Sequence, residues 1–199
     1  MVGSQGKPRA TASDLLGIPE AHRFHEILCG ELVQKAMPSA KHGNAQGALV
    51  AELRGPFNRK PGGPRPGGWW ILTEVQVSLE EHEVFRPDLV GWRRERMADL
   101  PAETPIALRP DWVCEVLSPA NKRNDTVHKR PVYHRAGVPH YWIVDPDEET
   151  LDVYRRHEDG YLLLLTAERT DRVRAEPFEA FLLKVSVLFG DDADDESQD

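Results

Sequence analysis

Cysteine is scarce here, with Cys29 and Cys114 the only two in 199 residues. Two thiols can supply neither the paired-cysteine spacing of a structural zinc site nor the disulfide framework of a small secreted domain. Both have apolar flanking residues and are expected to be reduced core thiols. Long hydrophobic runs are also missing. The longest, around Leu162 to Leu165, falls far short of the ~20 residues that span a bilayer. With no secretory signal pattern, no membrane contact and a cytoplasmic location are the expectation. A phosphate-cradling glycine loop, a nucleophile elbow and an internal repeat are absent too. That argues against a P-loop nucleotidase, a serine hydrolase of the usual kind and a solenoid.

The chain is long enough for one well-buried domain and short for two. Its apolar fraction is modest at 40%, so part of it is expected to stay unstructured. Residues 1–12 are small, polar and basic, and residues 191–199 (DDADDESQD) carry six acidic side chains in nine positions. Both ends are expected to be disordered around a single domain at 13–190. The acidic tail holds six of the eight net negative charges, leaving the body near −2. A nearly neutral body does not repel nucleic acid, and basic residues bunch at Arg93, Arg94 and Arg96, at Lys122 and Arg123, and at Lys129 and Arg130. Taken singly, such runs are more often solvated faces than binding sites.

In chain order, Thr11 to Ile18 reads as a short capped helix, and FHEILCGELVQKAM as a hairpin around Cys29-Gly30. Ala45, Ala48, Leu49 and Leu53 recur at helical spacing, predicting a helix from Ala40 that ends at Gly55-Pro56. Residues 54–68 form a basic loop rich in proline and glycine, unusually long for a connection inside a domain. Its four cations would suit a phosphate backbone. Trp70 to Leu79 alternates as one strand and is expected to pair antiparallel with Val84 to Trp92. Trp112 to Leu117, a helix from Asn124 or Asp125 to Ala136, and Tyr141 to Val144 form a strand–helix–strand unit with parallel strands. A hairpin over Leu151–Leu165 follows. The type of the apolar segment Phe178–Phe189 is left open. The order implies an α/β (α+β) domain, a mixed sheet flanked by helices.

Two carboxylates stand where burial makes charge costly. Asp88 lies in RPDLVGW, sharing a strand face with Val90 and Trp92. Glu115 lies in WVCEVL, sharing a face with Val113 and Leu117. If the strands lie in one sheet, the two carboxyl groups can converge, and close carboxylates repel unless a cation separates them. Magnesium suits such a pair, and Lys129 shares a helix face with Asp125 and Tyr133. The structural alternative is open on these residues alone: Asp88 satisfied by backbone amides, and Glu115 paired with Lys129 or Arg109.

The ordered pieces GELV, PSAKH, RPDLV, EVLSP, AGVPHYWIVDP and VYR, spread over residues 14–190, resemble the Uma family of restriction-endonuclease-like proteins within the PD-(D/E)xK nuclease superfamily. The resemblance implies a restriction-endonuclease-like core, with Asp88 and Glu115 as the acidic metal ligands. At the usual third-motif lysine position this chain has Leu117, and Lys129 on the following helix takes that role. Glu31 in GELV is implied as a further metal ligand with Glu26 as its rival, and His42 as a structural residue. Asp111, in a second RPD, is a decoy by spacing. Pro131 is expected to kink the helix near Lys129. The expected function is a DNA endonuclease using Mg2+, with Mn2+ as a substitute, acting as a monomer or a homodimer. The alternative is a catalytically silent nucleic-acid- or protein-binding module on the same fold.

Overall fold

The computed structural model describes residues 8–192. The disorder expected of residues 1–7, and of positions 193–199 in the acidic tail, lies outside them. Of the flanking residues expected to be unstructured, Ala10 donates its N–H to Gly30 O at 2.8 Å, and Asp191 pairs with Arg169.

Helix α1 (Ala12–Leu16) begins after Thr11, whose N–H and hydroxyl both donate to the Asp14 carboxylate at 2.8 Å. Strands β1 (His25–Leu28) and β2 (Glu31–Gln34) form the expected hairpin. Cys29 and Gly30 turn its corner with positive φ, 55° and 80°, which leaves Cys29 exposed rather than in the core. Cys114 is buried as expected.

Helix α2 (Ala40–Phe57) starts at Ser39, whose hydroxyl accepts the His42 N–H at 3.2 Å. It buries Ala45, Leu49, Leu53 and Phe57. It continues through Gly55-Pro56 instead of stopping there. Gly55 has no Cβ to clash with the proline ring, and burial of Phe57 in the core offsets the one helical hydrogen bond that Pro56 cannot donate.

The Trp70–Leu79 strand is in fact two, β3 (Trp69–Thr73) and β4 (Val77–Glu80). The returning arm is likewise two, β5 (Glu83–Phe85) and β6 (Leu89–Arg93). β4 pairs with β5 and β3 with β6, both antiparallel. The long hairpin therefore breaks across both arms, at Glu74 (φ 56°) and at Arg86-Pro87-Asp88. A left-handed residue on one arm and a proline on the other stop both ladders at the same level. The outer half joins a four-stranded sheet, β2-β1-β5-β4, and the inner half a six-stranded one.

The six-stranded sheet continues with β7 (Trp112–Val116), β8 (His140–Asp145), β9 (Thr150–His157) and β10 (Gly160–Glu168), in the order β10-β9-β8-β7-β6-β3. The β7–β8 pair is parallel and the others antiparallel, the expected mixed sheet. Between β7 and β8, a π-helical stretch (Asn124–Lys129) runs into α3 (Arg130–Arg135), with Gly137 at φ 81° beyond it. Pro131 supplies no N–H to the turn before it, and the helix widens there rather than continuing as a regular α-helix. β11 (Arg172–Val173), β12 (Leu183–Lys184) and a 3-10 helix (Val185–Phe189) finish the described chain.

Strand alternation sends Trp112, Cys114 and Val116 to the α2 side of the large sheet, and Val113 and Leu117 to the α3 side. On the α2 side, Phe178 packs against Phe57, Trp69, Trp112 and Trp142 with ring centroids 4.7–5.6 Å apart. Gly91 accommodates this layer, since a Cβ there would lie 3.2 Å from both the Trp69 and Trp112 rings. Among the described residues, no helix is long and apolar enough to cross a membrane.

Candidate active site

The break in the long hairpin opens a notch between the two sheets, and Asp88 sits in it rather than mid-strand. The β6–β7 register pairs Leu89 with Cys114. One residue further along, the same register sets Asp88 opposite Glu115. Both are 1% exposed; Glu115 meets Lys129 and Tyr133 on the α3 side, whereas Asp88 meets His42 of α2.

Asp88 is held from three directions. Its Oδ1 accepts from Lys35 Nζ at 2.7 Å, and its Oδ2 from the Val116 N–H at 2.7 Å, with His42 Nε2 3.2 Å away. Lys35 Nζ also donates to both Glu74 oxygens, at 3.1–3.2 Å, and to Arg86 O at 2.8 Å. Gln46 from α2 donates to Glu74 Oε1 at 3.2 Å and to Asp88 O at 2.9 Å. Burial pushes the Asp88 carboxyl up, but His42 and Lys35 outweigh it and hold it below the usual carboxylate range.

Glu115 belongs to a second, adjoining set. Lys129 Nζ lies 2.9 Å from Glu26 Oε1, 3.0 Å from Asp125 Oδ1 and 3.2 Å from Glu115 Oε1. The Tyr133 hydroxyl donates to Glu115 Oε1 at 2.7 Å. Asp125, Lys129 and Tyr133 thus converge from one helix face, as their spacing predicts. Burial drives the Glu115 and Asp125 carboxyls up. Burial also opposes the charge on Lys129, but Asp125, Glu115 and Glu26 raise it well above the ordinary lysine range. Glu115 Oε2 is buried and accepts no hydrogen bond among the described residues.

Glu31 does not reach this site. It is exposed at the turn end of β2, opposite Leu28, whereas Glu26, opposite Val33 in the hairpin register, points into the notch. Glu26, the rival candidate, therefore enters the notch and Glu31 does not; Glu26 Oε1 accepts the Arg86 N–H at 2.7 Å as well as meeting Lys129. Asp111 is structural, accepting the Arg93 N–H at 2.8 Å and pairing with Arg96. Arg109 bonds to Gly137 O rather than to Glu115. Lys35, Gln46 and Glu74 went unnoticed in the sequence. None lies within a quoted motif, although Lys35 stands two residues after GELV and Gln46 four after PSAKH. It is the packing of β2 and α2 against the hairpin break at Glu74 that brings them to Asp88.

A cavity of about 310 Å³ opens beside the notch, lined in part by Phe24, Lys35, His42 and Gln46. A second, of about 500 Å³, shares Phe24, Glu74 and Arg86 with it. Both open onto the Lys35 side of the site.

A model of the family described as "Putative restriction endonuclease" matches residues 12–186. The chain belongs to the Uma2 family. No curated protein matches it. Among solved structures, one described as a putative nuclease belonging to DUF820 from Anabaena variabilis superposes with a TM-score of 0.72. At 24% identity, it covers 90% of this chain and 97% of its own. The Uma2 assignment supports nuclease function as the general class, and the structural likeness supports a restriction-endonuclease-like fold.

The residues fit a divalent cation. Five carboxylates (Glu26, Glu74, Asp88, Glu115 and Asp125) meet three cations (Lys35, Arg86 and Lys129). Even with His42, 3.2 Å from Asp88, protonated, the fully ionised set holds one more negative than positive charge, and apart from the partly exposed Glu74 and Arg86 it is mostly buried. The donors are hard oxygens, and Glu115 Oε2 is unclaimed. Glu26, Asp125 and Glu115 are each turned to the Lys129 ammonium by one oxygen, and an ion at this site would be shared by Asp88 and the remaining Glu115 oxygen, Oε2. The exposed trio His157, Glu158 and Asp159 can also gather around one, but it lies on the β9–β10 turn and touches none of this machinery.

Proposed function

We propose that the protein is a metal-dependent DNA endonuclease, acting in the cytoplasm and hydrolysing phosphodiester bonds with Mg2+, or Mn2+ in its place. The observation that carries the reading is the buried, cross-strand Asp88–Glu115 pair, set in a cluster of five carboxylates and with one oxygen, Glu115 Oε2, unclaimed among the described residues. Asp88 and Glu115 would hold the ion, which when bound lowers the pKa of a water and polarises the phosphoryl group.

The chain's own groups do the rest. Lys35 and His42 keep Asp88 ionised and therefore able to ligate. Lys129 and Tyr133 both engage Glu115 Oε1, which fixes the carboxylate and leaves Oε2 as its free donor. Lys129 is thus a positioning residue, its three carboxylate partners leaving it little reach toward a substrate. Lys35 lines the cavity, but its Nζ is engaged as fully, by Glu74, Arg86 O and Asp88, so it too acts first by holding the carboxylates.

The test is nicking of supercoiled plasmid in Mg2+ or Mn2+, with Asp88→Ala and Glu115→Ala each expected to abolish it. Cleavage that survives both substitutions would sink the assignment. The second reading, a nucleic-acid-binding module without hydrolysis, is favoured by one observation: Lys35 already neutralises Asp88. Tight DNA binding by a wild type inactive with every metal and DNA form would select it.

A further inference from the structure

The segment 54–68 contains Arg54, Arg59, Lys60 and Arg65 and no acidic residue, in a chain of net charge −8. The fold does not leave it loose. Gly67 N–H bonds to Pro56 O at 3.0 Å and Gly68 N–H to Arg59 O at 2.7 Å. Asn58 Oδ1 accepts the Ile71 N–H at 2.9 Å, which fastens the loop to the free edge of β3. At Gly67 the backbone passes so close that a Cβ would lie 2.5 Å from Lys60 O.

This folding sets the loop against a second basic run. Arg94 N–H donates to Gly68 O at 2.8 Å. The Arg94 guanidinium lies 3.3 Å over the Trp70 ring, and that of Arg93 lies 4.3 Å over Trp69. A guanidinium stacked on a ring face keeps its charge and presents its N–H edge outward. Arg59 and Arg65 donate to Gly55 O, and Arg94 to Trp69 O, so the hydrogen bonds these cations make among the described residues are to carbonyls, which leave their charge in place. Across segments 54–70 and 93–96, Glu95 is the single acidic residue. Among the described residues, Arg96 of this set pairs with Asp111. Elsewhere the surface repeatedly pairs its charges, as in Lys41 with Asp147, Arg135 with Glu80 and Arg155 with Glu176.

The patch also has a definite relation to the notch. α2 and β6 both run from the site, at His42 and Asp88, to the patch, at Arg54 and Arg93. Five residues of strand separate Asp88 from Arg93, about 16 Å at ~3.3 Å per residue. Along duplex DNA that distance corresponds to about five base pairs at ~3.4 Å each.

We propose that Arg59, Lys60, Arg65 and Arg93 form a second nucleic-acid contact, holding backbone phosphates about five base pairs from the bond at the notch, with Arg94 fastening the loop through its backbone N–H. The identity of the polyanion rests on the nuclease reading above; the binding surface itself does not require hydrolysis.

The experiment measures the affinity of the full-length protein for a labelled 30-base-pair duplex by anisotropy, in EDTA, over a range of salt. The triple variant Arg59→Ala/Lys60→Ala/Arg65→Ala, with Arg93→Ala as an independent second variant, is compared with wild type and with Arg172→Ala/Arg174→Ala, a distant control. The expected result for the triple variant is an affinity loss of about tenfold or more and a log–log salt slope shallower by about 3, with the melting temperature unchanged. Arg93→Ala should shallow the slope by about 1, and the control should stay near wild type. A wild type that binds no duplex, variants with unchanged affinity and slope, or an equal loss in the control would each overturn the proposal. Because no metal is present, binding through the patch together with absent cleavage in Mg2+ would refute the nuclease reading and leave the patch standing.

Discussion

Lys129 is the residue whose removal should be felt most. Its ammonium is 2% exposed and serves three carboxylates at 2.9–3.2 Å. Lys129→Met should cost about 3–5 kcal/mol in urea unfolding, because it leaves buried negative charge uncompensated. Adding Glu115→Gln to that variant should recover part of the loss. A loss unchanged by the second substitution would mean that packing, not charge, sets the cost. His140 offers a separate residue-scale test. Burial lowers it to about 4, with Glu179 opposing and Arg93 and Arg155 assisting. The folded state therefore takes up this proton less readily than the unfolded chain. The associated stability is intact above about pH 6.5 and is lost progressively as pH falls toward 4. After discounting for partial exposure it amounts to about 1–2 kcal/mol. Denaturant midpoints for His140→Gln should fall less over that interval than those of wild type.

Among the elements, the basic loop and the broken hairpin behave differently under substitution. Gly67 combines φ 59° with the 2.5 Å approach to Lys60 O, so Gly67→Ala must open the loop. It should cost about 1–3 kcal/mol in thermal or urea unfolding, while plasmid nicking at saturating DNA is retained, because the loop lies at the far end of β6 from Asp88. A variant as stable as wild type would show that the loop is not folded as described. The π-helical turn has the opposite character. It carries Asp125 and Lys129 to the notch, and Pro131 immediately after it denies the helix a donor. A widened turn at a candidate active site is a familiar association, here with an identifiable local cause.

At the scale of the molecule, the notch between two sheets links metal, pH and stability. The Glu115 carboxyl is raised by burial, with Lys129 opposing and Asp125 and Asp88 assisting. The folded state then holds this proton more tightly than the unfolded chain. The stability it confers is fully present below about pH 4.5 and is lost as pH rises through the raised value. A divalent ion at Asp88 and Glu115 should offset that loss. Mg2+ at about a hundredfold excess over its Kd should stabilise the wild type by about 3 kcal/mol, more at pH 8 than at pH 6. Asp88→Ala and Glu115→Ala should show no such increment in a calorimetric scan. An Mg2+ increment that persists in both variants would place the ion elsewhere.

Much of this was legible in the chain itself, for reasons that are local. Strand alternation in WVCEVL put Glu115 on the face of Val113 and Leu117. The four-residue spacing of Asp125, Lys129 and Tyr133 put them on one helix face. Two residues on one short element share a geometry that sequence alone determines, and the motif resemblance implied Asp88 and Glu115 as the acidic pair, which the β6–β7 register sets opposite each other. What only the tertiary structure decided depends on long-range closure. A period of two cannot reveal that Trp70–Leu79 divides between two sheets, because both halves alternate correctly. The break appears only as a positive φ at Glu74 facing Pro87 across the hairpin. That break creates the notch, in which Lys35 and Gln46 meet Asp88 from 53 and 42 residues away, and admits Glu26 rather than Glu31. A strand residue's face follows from its neighbours in sequence, but the partners of a buried charge follow from how separate elements meet.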